Sequence, residues 1–472
     1  MSRGAESTTL IPDVPAQRWR DEAHATLTLA WPLILGNIAQ MAINTTDVLI
    51  LGRYSVDALA AAALGLNLYW AFAIFGMGLV TAASPMIAAE RGKRAHSVRD
   101  VRRTVRQAFW AAATLCVPIW LILWNAEALL LLLGQEPELA KAAAGFVRIA
   151  MWGLPGFLGF LILRNYVTAL ERPIWGLVVT SAGVAVNAVA CWILVFGIGG
   201  FPALGLDGAA IANVFANLFL FGLSAAIVTR LRPFGRYHLF GRFWRSDWAR
   251  YREIMRLGLP IAVTLALEVT IFKAAVFLMG LIDRPSLAAH AVAIQLASLA
   301  FMLPLGLAQA ATVRVGIAHG RGDARGVAIA GWTAFVLCIG AAIVLSAIMA
   351  LFASELVGLF VTVRTASERV VFDLAVSFVI VAAVFQLVDA TQAVGAGVLR
   401  GIHDTRWPMI FAGSGYWVIG LGVALLLGFE WGLKGVGIWI GLASGLAAVA
   451  VLMVARWLMR GRLGLVAYDG RG

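Results

Sequence analysis

Two stretches of the chain, 32-PLILGNIAQMAINTTDVLILGRYSVDALAA-61 and 260-PIAVTLALEVTIFKAAVFLMGLIDRPSLAA-289, carry the reading of the fold. Laid over each other at offset 228 and without a gap, they match Pro32 with Pro260 and Gly52 with Gly280. They also match Leu59-Ala60-Ala61 with Leu287-Ala288-Ala289. The match runs on through the next apolar stretch, where Gly78-Leu79 falls on Gly306-Leu307, Ala82-Ala83 on Ala310-Ala311 and Gly92 on Gly320. A weaker echo pairs Gly205 and Gly208 with Gly432 and Gly435 at offset 227. Leu and Ala coincide by composition alone in so apolar a chain, but glycines and a proline held at fixed spacing mark an internal duplication.

Each copy begins with an apolar run long enough to cross a bilayer, which takes about 20 residues. The whole chain has the matching composition: 472 residues, 61% hydrophobic, 13% charged, with a mean hydropathy of +0.88. Soluble domains carry about 25% charged residues, so a soluble globular protein is excluded and a polytopic helical membrane protein is expected. Apolar segments at about 26–51, 63–88, 105–126, 143–165, 173–198, 208–229, 257–282, 287–315, 327–352, 374–398, 407–428 and 435–457 predict an all-α integral membrane fold of about twelve helices. Six helices separate the copies. An even number starts both halves on the same side of the membrane, so the lobes are related by an axis along its normal, an arrangement suited to alternating access around a central cavity.

The expected organisation is an N-terminal segment (1–25), a six-helix lobe (26–229), a basic inter-lobe loop (230–256), a second six-helix lobe (257–457) and a tail (458–472). Of the 37 Lys and Arg residues, 29 fall on the side that holds the N-terminus, with 91–106 and 230–256 the heaviest stretches. By the positive-inside rule both termini are cytoplasmic, in the inner membrane of a bacterium. This topology accounts for the net charge of +12 without nucleic acid, while the 230–256 loop is also a candidate for contact with anionic membrane lipid. Cys116, Cys191 and Cys338 lie in apolar runs without metal-ligand or redox spacing. No His cluster suggests a metal site, with His290 expected near the outer interface, and no group of Asp, His or Arg near a membrane boundary favours a membrane-embedded transferase.

Ionisable residues inside lipid spans are costly and carry a functional hypothesis by default. Asp47, Glu268, Lys273 and Asp389 are of this kind. At the 228 offset Glu268 falls on Gln40 and Asp47 on Ala275, so each half places one acid on its first helix, seven residues apart in register. Seven residues is nearly two turns, hence one face. Asp389 can join Glu268 in a pair that shares a proton or binds a cation. Lys273, five positions after Glu268, points about 140° away from it around the helix. It either pairs statically with Asp389 or switches. Asn187, Asn213 and Asn217 can complete a hydrogen-bonded cluster around Asp47 or serve as interhelical glue. Pro155, Pro304 and the Gly-rich segments mark bends.

The residues resemble the MATE family, multidrug and toxic compound extrusion transporters, and its NorM-like branch. Pro32 to Asp47 with Gly52 and Leu59-Ala60-Ala61 looks like the family's opening pattern. The stretch 397-GVLRGIHDTRWPM-409 looks like its cytoplasmic segment after the tenth helix. Asn187, Phe196-Gly197, Gly205, Gly208 and Ala209 also fit. The resemblance implies a secondary active antiporter, not an enzyme, that exports amphipathic, cationic organic compounds in exchange for inward Na⁺ or H⁺, with no cofactor and as a monomer. It implies Glu268 with Asp389 as the cation site of the second lobe, and Asp47, Asn187 and Asn213 as the first-lobe counterparts. Na⁺ is expected at Glu268 and Asp389 or at Asp47. Phe385 stands where the branch tends to carry Tyr, and Cys191 where Asn or Asp is usual; both changes remove an oxygen donor and weigh toward a proton. A flippase for lipid-linked saccharides is the competing reading, supported only by the cation Lys273.

Overall fold

The computed structural model describes residues 15–93, 97–241 and 243–466; residues 1–14 of the expected N-terminal segment and 467–472 of the tail lie outside the described residues. Among the described residues, twelve helices are long and apolar enough to cross a membrane. They are α1 (Ala16–Tyr54), α2 (Val56–Gly92), α3 (Ser97–Trp124), α4 (Pro137–Ala169), α5 (Ile174–Phe196) and α6 (Gly205–Arg230), followed by α7 (Trp248–Ile282), α8 (Arg284–Gly320), α9 (Ala324–Leu351), α10 (Ala366–Gly401), α11 (Arg406–Glu430) and α12 (Lys434–Leu458). The expected all-α fold with two six-helix halves is therefore what the chain adopts, and no strand occurs among the described residues.

The duplication read from the glycines recurs in the helix boundaries. Helix α1 ends at Tyr54 and α7 at Ile282, while α2 spans Val56–Gly92 and α8 spans Arg284–Gly320, each limit shifted by the same offset as the sequence match. The residues between the helices cap the second one in both copies. Ser55 accepts the Ala58 backbone N–H at 3.4 Å, and Asp283, its counterpart, accepts that of Ser286 at 2.7 Å. Such caps contribute about 1 kcal/mol each by satisfying amides that the helix leaves open. The echo at offset 227 is steric. Gly205 and Gly432 both adopt positive φ, +54° and +70°. A Cβ on Gly208 would lie 2.5 Å from the Leu194 carbonyl oxygen, and one on Gly435 would lie 2.3 Å from Phe378. Gly205, Gly208 and Gly435 have no room for a Cβ, while Gly432 has the room and is favoured by its positive φ alone.

Contacts group the chain into two units. Among the described residues the C-terminal unit gathers 15–31, 92–93 and 267–466; the N-terminal unit gathers 32–91, 97–241 and 243–266. The expected lobes begin at 26 and 257, and the contact units divide α1 after Trp31 and α7 after Ala266. Ion pairs hold the opening turns of both helices within these units. Arg314 on α8 donates to Glu22 on the opening turns of α1 at 2.5 and 2.7 Å, inside the C-terminal unit. In the N-terminal unit Arg250, on the opening turns of α7, donates to Glu90 on α2 at 3.0 Å. Glu22 and Arg250 are counterparts at offset 228, so the same repeat position carries opposite charge in the two copies.

Several helices outrun the bilayer, α1 with 39 residues, α8 with 37 and α7 with 35. The stretches 91–106 and 230–256, expected as loops, accordingly become helical from Ser97 and from Trp248 onward. Near Pro155 the chain breaks into a 3₁₀ turn at Met151–Gly153, while Pro304 sits inside a continuous α8. Helix α11 widens into π-helix at Gly413–Gly420 and again at Leu426–Glu430, a form that gathers at functional sites.

Candidate functional site

Two acidic clusters form, one in each unit, around the buried Asp47 and Asp389, with Glu268 half-buried. In the N-terminal unit Asp47 is 5% exposed on α1, and Asn187 on α5 donates from Nδ2 to Asp47 Oδ1 at 2.6 Å. Asn213 on α6 and the Cys191 thiol on α5 lie within reach of the carboxylate. Asn217 supports the arrangement by donating to Asn213 Oδ1 at 2.9 Å. The neighbouring Thr45 and Thr46 take no part, because their hydroxyls bond back to Met41 and Ala42 carbonyls of their own helix. Asp47, Asn187 and Asn213 thus meet, as the sequence led one to expect. Cys191, which lacks the oxygen expected at its position, nevertheless lies within reach of the acid.

The C-terminal unit is built differently. Glu268 on α7 and Asp389 on α10 lie within electrostatic reach of each other, and Tyr416, in the first π-helical segment of α11, is within reach of both. Asp389 is 4% exposed and its Oδ1 has no hydrogen-bond partner among the described residues. One turn away Gln386 is fully buried with both amide atoms likewise unpartnered. Buried polar atoms in this condition are rare enough to need a reason, and a ligand or a proton that visits the site is one. Phe385 supplies no donor; its ring packs edge-on against Phe272 and Trp439 at 6.0 and 5.6 Å.

Lys273 is exposed on α7, and the cation that acts on Glu268 is Arg400, near the end of α10. Arg400 stands at the edge of an apolar run, so sequence patterning reads it as a loop charge; only the length of α10 brings it to the site. Tyr416 is equally invisible, because a lone Tyr in an apolar helix looks like core and the π-helical turn that aims it leaves no simple sequence signal. His290, expected near the outer interface, stands in the opening turns of α8, where it is 1% exposed and packs on Trp439 at 5.4 Å.

The segment 397–409 is structural in its first half and electrostatic in its second. A Cβ on Gly397 would lie 2.5 Å from the Ala308 carbonyl oxygen of α8, and Thr312 Oγ1 donates to the Gly397 carbonyl at 2.9 Å. Small residues at such crossings let membrane helices approach closely where the hydrophobic effect cannot drive them together. Beyond the helix, Arg456 Nε donates to Asp404 at 2.5 Å while its guanidinium lies 5.0 Å over the Trp407 ring.

Comparison with known proteins agrees with this architecture. The MatE family model matches residues 32–193 and again 260–426, two matches whose starts are separated by the offset of the duplication. A protein named "Probable multidrug resistance protein NorM" from Mesorhizobium japonicum is 52% identical over 449 residues, covering 95% of this chain and 96% of that one. A protein of the same name from Brucella suis is 48% identical, with 94% of each chain covered. Among solved structures, the eukaryotic MATE transporter AtDTX14 superposes with a TM-score of 0.83 at 21% identity, over 95% of this chain and 99% of that one. The chain belongs to the MATE family, and its similarity to the NorM proteins puts it in the NorM-like branch. It is a multi-pass integral membrane protein.

Proposed function

We propose that the protein is a secondary active multidrug efflux antiporter of a bacterial inner membrane, exporting amphipathic, cationic organic compounds against inward flow of an ion. The kinship with NorM proteins supports the efflux role. The observation that carries the coupling role is the pair of acidic clusters, one per unit, whose carboxylates sit at membrane depth with partners that only partly satisfy them. A group that costs several kcal/mol to bury persists in such a place when its charge state is used. Each conformation must bind one ligand better than the other, and protonation of a carboxylate provides that difference for ion and drug alike.

Between Na⁺ and H⁺, the surroundings of Glu268 and Asp389 favour the proton. A bound hard cation brings a second positive charge to a site where the Arg400 guanidinium already acts on Glu268, and the ring of Phe385 offers it no oxygen. A proton needs one carboxylate oxygen. Asp47, with two amides and a thiol within reach, is the second protonation site.

Expression in a bacterial strain stripped of its own efflux pumps tests the reading. Tolerance to cationic dyes should rise severalfold with the wild-type chain and return to background with Asp389→Asn at equal membrane abundance. Unchanged tolerance in Asp389→Asn would refute the assignment of the site.

A further inference from the structure

The basic stretches 91–106 and 230–256 do more than orient the chain. The first turns of α3 carry Arg99, Arg102, Arg103 and Arg106, spaced so that all four share one helical face. The segment before α7 folds back onto that face and is pinned there. Arg103 Nε donates to Asp247 at 2.6 Å, Gln107 Nε2 donates to the Arg245 carbonyl at 3.4 Å, and Trp110 Nε1 donates to the Phe243 carbonyl at 3.3 Å. Between helix and segment opens a pocket of about 430 Å³ lined by the four arginines with Arg245, Ser246 and Asp247. It holds five guanidinium groups against one carboxylate. That carboxylate is already engaged by Arg103, and Asp100, the nearest other acid on α3, is engaged by Arg103 as well at 3.0 Å.

The pocket is graded from base to rim: Arg106 is 5% exposed at its floor, Arg102 and Arg103 are half-buried, and Arg99 and Arg245 are exposed. Guanidinium forks in such an array bind phosphate oxygens bidentately, as they do carboxylates. Two aromatic rings identify the source of the phosphate. Trp244, next to Arg245, is 82% exposed with its ring edge-on to Trp110 at 6.3 Å, and Trp248 at the start of α7 is 63% exposed. Exposed Trp beside the polar end of a membrane span sits at headgroup depth, where a soluble anion would have no use for it.

We propose that this pocket binds the phosphate of an anionic phospholipid from the leaflet at the basic end of the helices, with Trp244 and Trp248 seated among the headgroups beside it. The lipid bridges α3 to the chain leading into α7, its phosphate adding a second anion where five guanidinium groups face one carboxylate. A basic pocket at this depth favours a lipid with net negative charge over a zwitterionic one.

The test is lipid retention by the purified full chain in detergent, read by native mass spectrometry during titration with phosphatidylglycerol and, separately, phosphatidylcholine. Wild type should retain phosphatidylglycerol preferentially. The double variant R102Q/R245Q should lose about fivefold in affinity per arginine removed. R230Q/R232Q, which removes equal charge outside the pocket, should lose little, and R102K/R245K should keep part of the preference, showing that loss in the Gln variant is not misfolding. Equal losses in both Gln variants would mean a diffuse basic field and overturn the proposal. Displacement of the lipid by inorganic phosphate, with W244A binding lipid as wild type does, would also overturn it in favour of a soluble anion.

Discussion

The acid of the N-terminal unit and the acids of the C-terminal unit occupy similar helices yet live in unlike surroundings. Asp47 has neutral hydrogen-bond donors around it, Asn187, Asn213 and the Cys191 thiol. Glu268 and Asp389 sit with each other, with the Arg400 charge and with aromatic rings, and Asp389 keeps an oxygen atom free of any described partner. A duplicated fold has therefore diverged at its chemistry while the limits of its opening helices stayed in register. Charge at the repeat position of Glu22 and Arg250 has diverged in the same way, by inversion. Packing tolerates little change because glycines such as Gly208 and Gly435 have no room for a methyl group, whereas polar clusters can be rebuilt from different donors.

The largest effect that separates the two clusters should come from their acids. Asp389→Asn and Asp47→Asn are each expected to reduce ion-driven efflux by about 5- to 150-fold, the range of coupling free energies between linked sites. Dye uptake into inverted vesicles measures it, and a deeper loss in Asp389→Asn would mark the C-terminal cluster as the dominant one. Next in size, Gly435→Ala and Gly208→Ala should each destabilise the protein by about 1–3 kcal/mol through overpacking. Equal falls in thermal midpoint in detergent would show that the shared scaffold weighs alike in both halves. Asn187→Leu, which strips Asp47 of its 2.6 Å donor, should cost about 1–3 kcal/mol at that site, seen as an efflux defect smaller than that of Asp47→Asn. An asymmetric prediction concerns cations: Arg400→Gln should move the pH profile of efflux while Lys273→Gln leaves it in place.

The smallest effect lies outside the membrane. Burial alone would push the Asp247 carboxyl up, but the Arg103 hydrogen bond, the Arg250 backbone N–H and the two nearby guanidinium charges together hold it below the usual carboxylate range. A carboxylate depressed in the folded state adds stability above its unfolded pKa and loses it as pH falls through the folded one. With Arg103 one-third exposed the contribution is at most about 1 kcal/mol. Asp247→Asn should accordingly flatten the acid side of the pH–stability curve by a small amount and leave neutral-pH efflux unchanged.

The scaffold was legible in the sequence because lipid leaves few options: backbone groups must be satisfied inside each span, so every long apolar run becomes a helix. The duplication was legible from glycines whose spacing the packing enforces. The Asp47 cluster could be read because Asn is conspicuous in an apolar helix. Arg400 and Tyr416 could not, since one depends on how far α10 continues past its apolar stretch and the other on a π-helical widening of α11. Lys273 stood out because a charge inside an apolar run attracts a functional role, and the structure adds only that its side chain is exposed on α7.

The central claim is that protonation of buried carboxylates drives export. It is tested most directly by reconstituting the full chain in proteoliposomes and following efflux of a fluorescent cationic dye under an imposed pH gradient without Na⁺, then under a Na⁺ gradient with pH clamped. Extrusion under the pH gradient alone, abolished in Asp389→Asn, is the predicted result. Extrusion that needs the Na⁺ gradient and ignores the pH gradient would contradict the account.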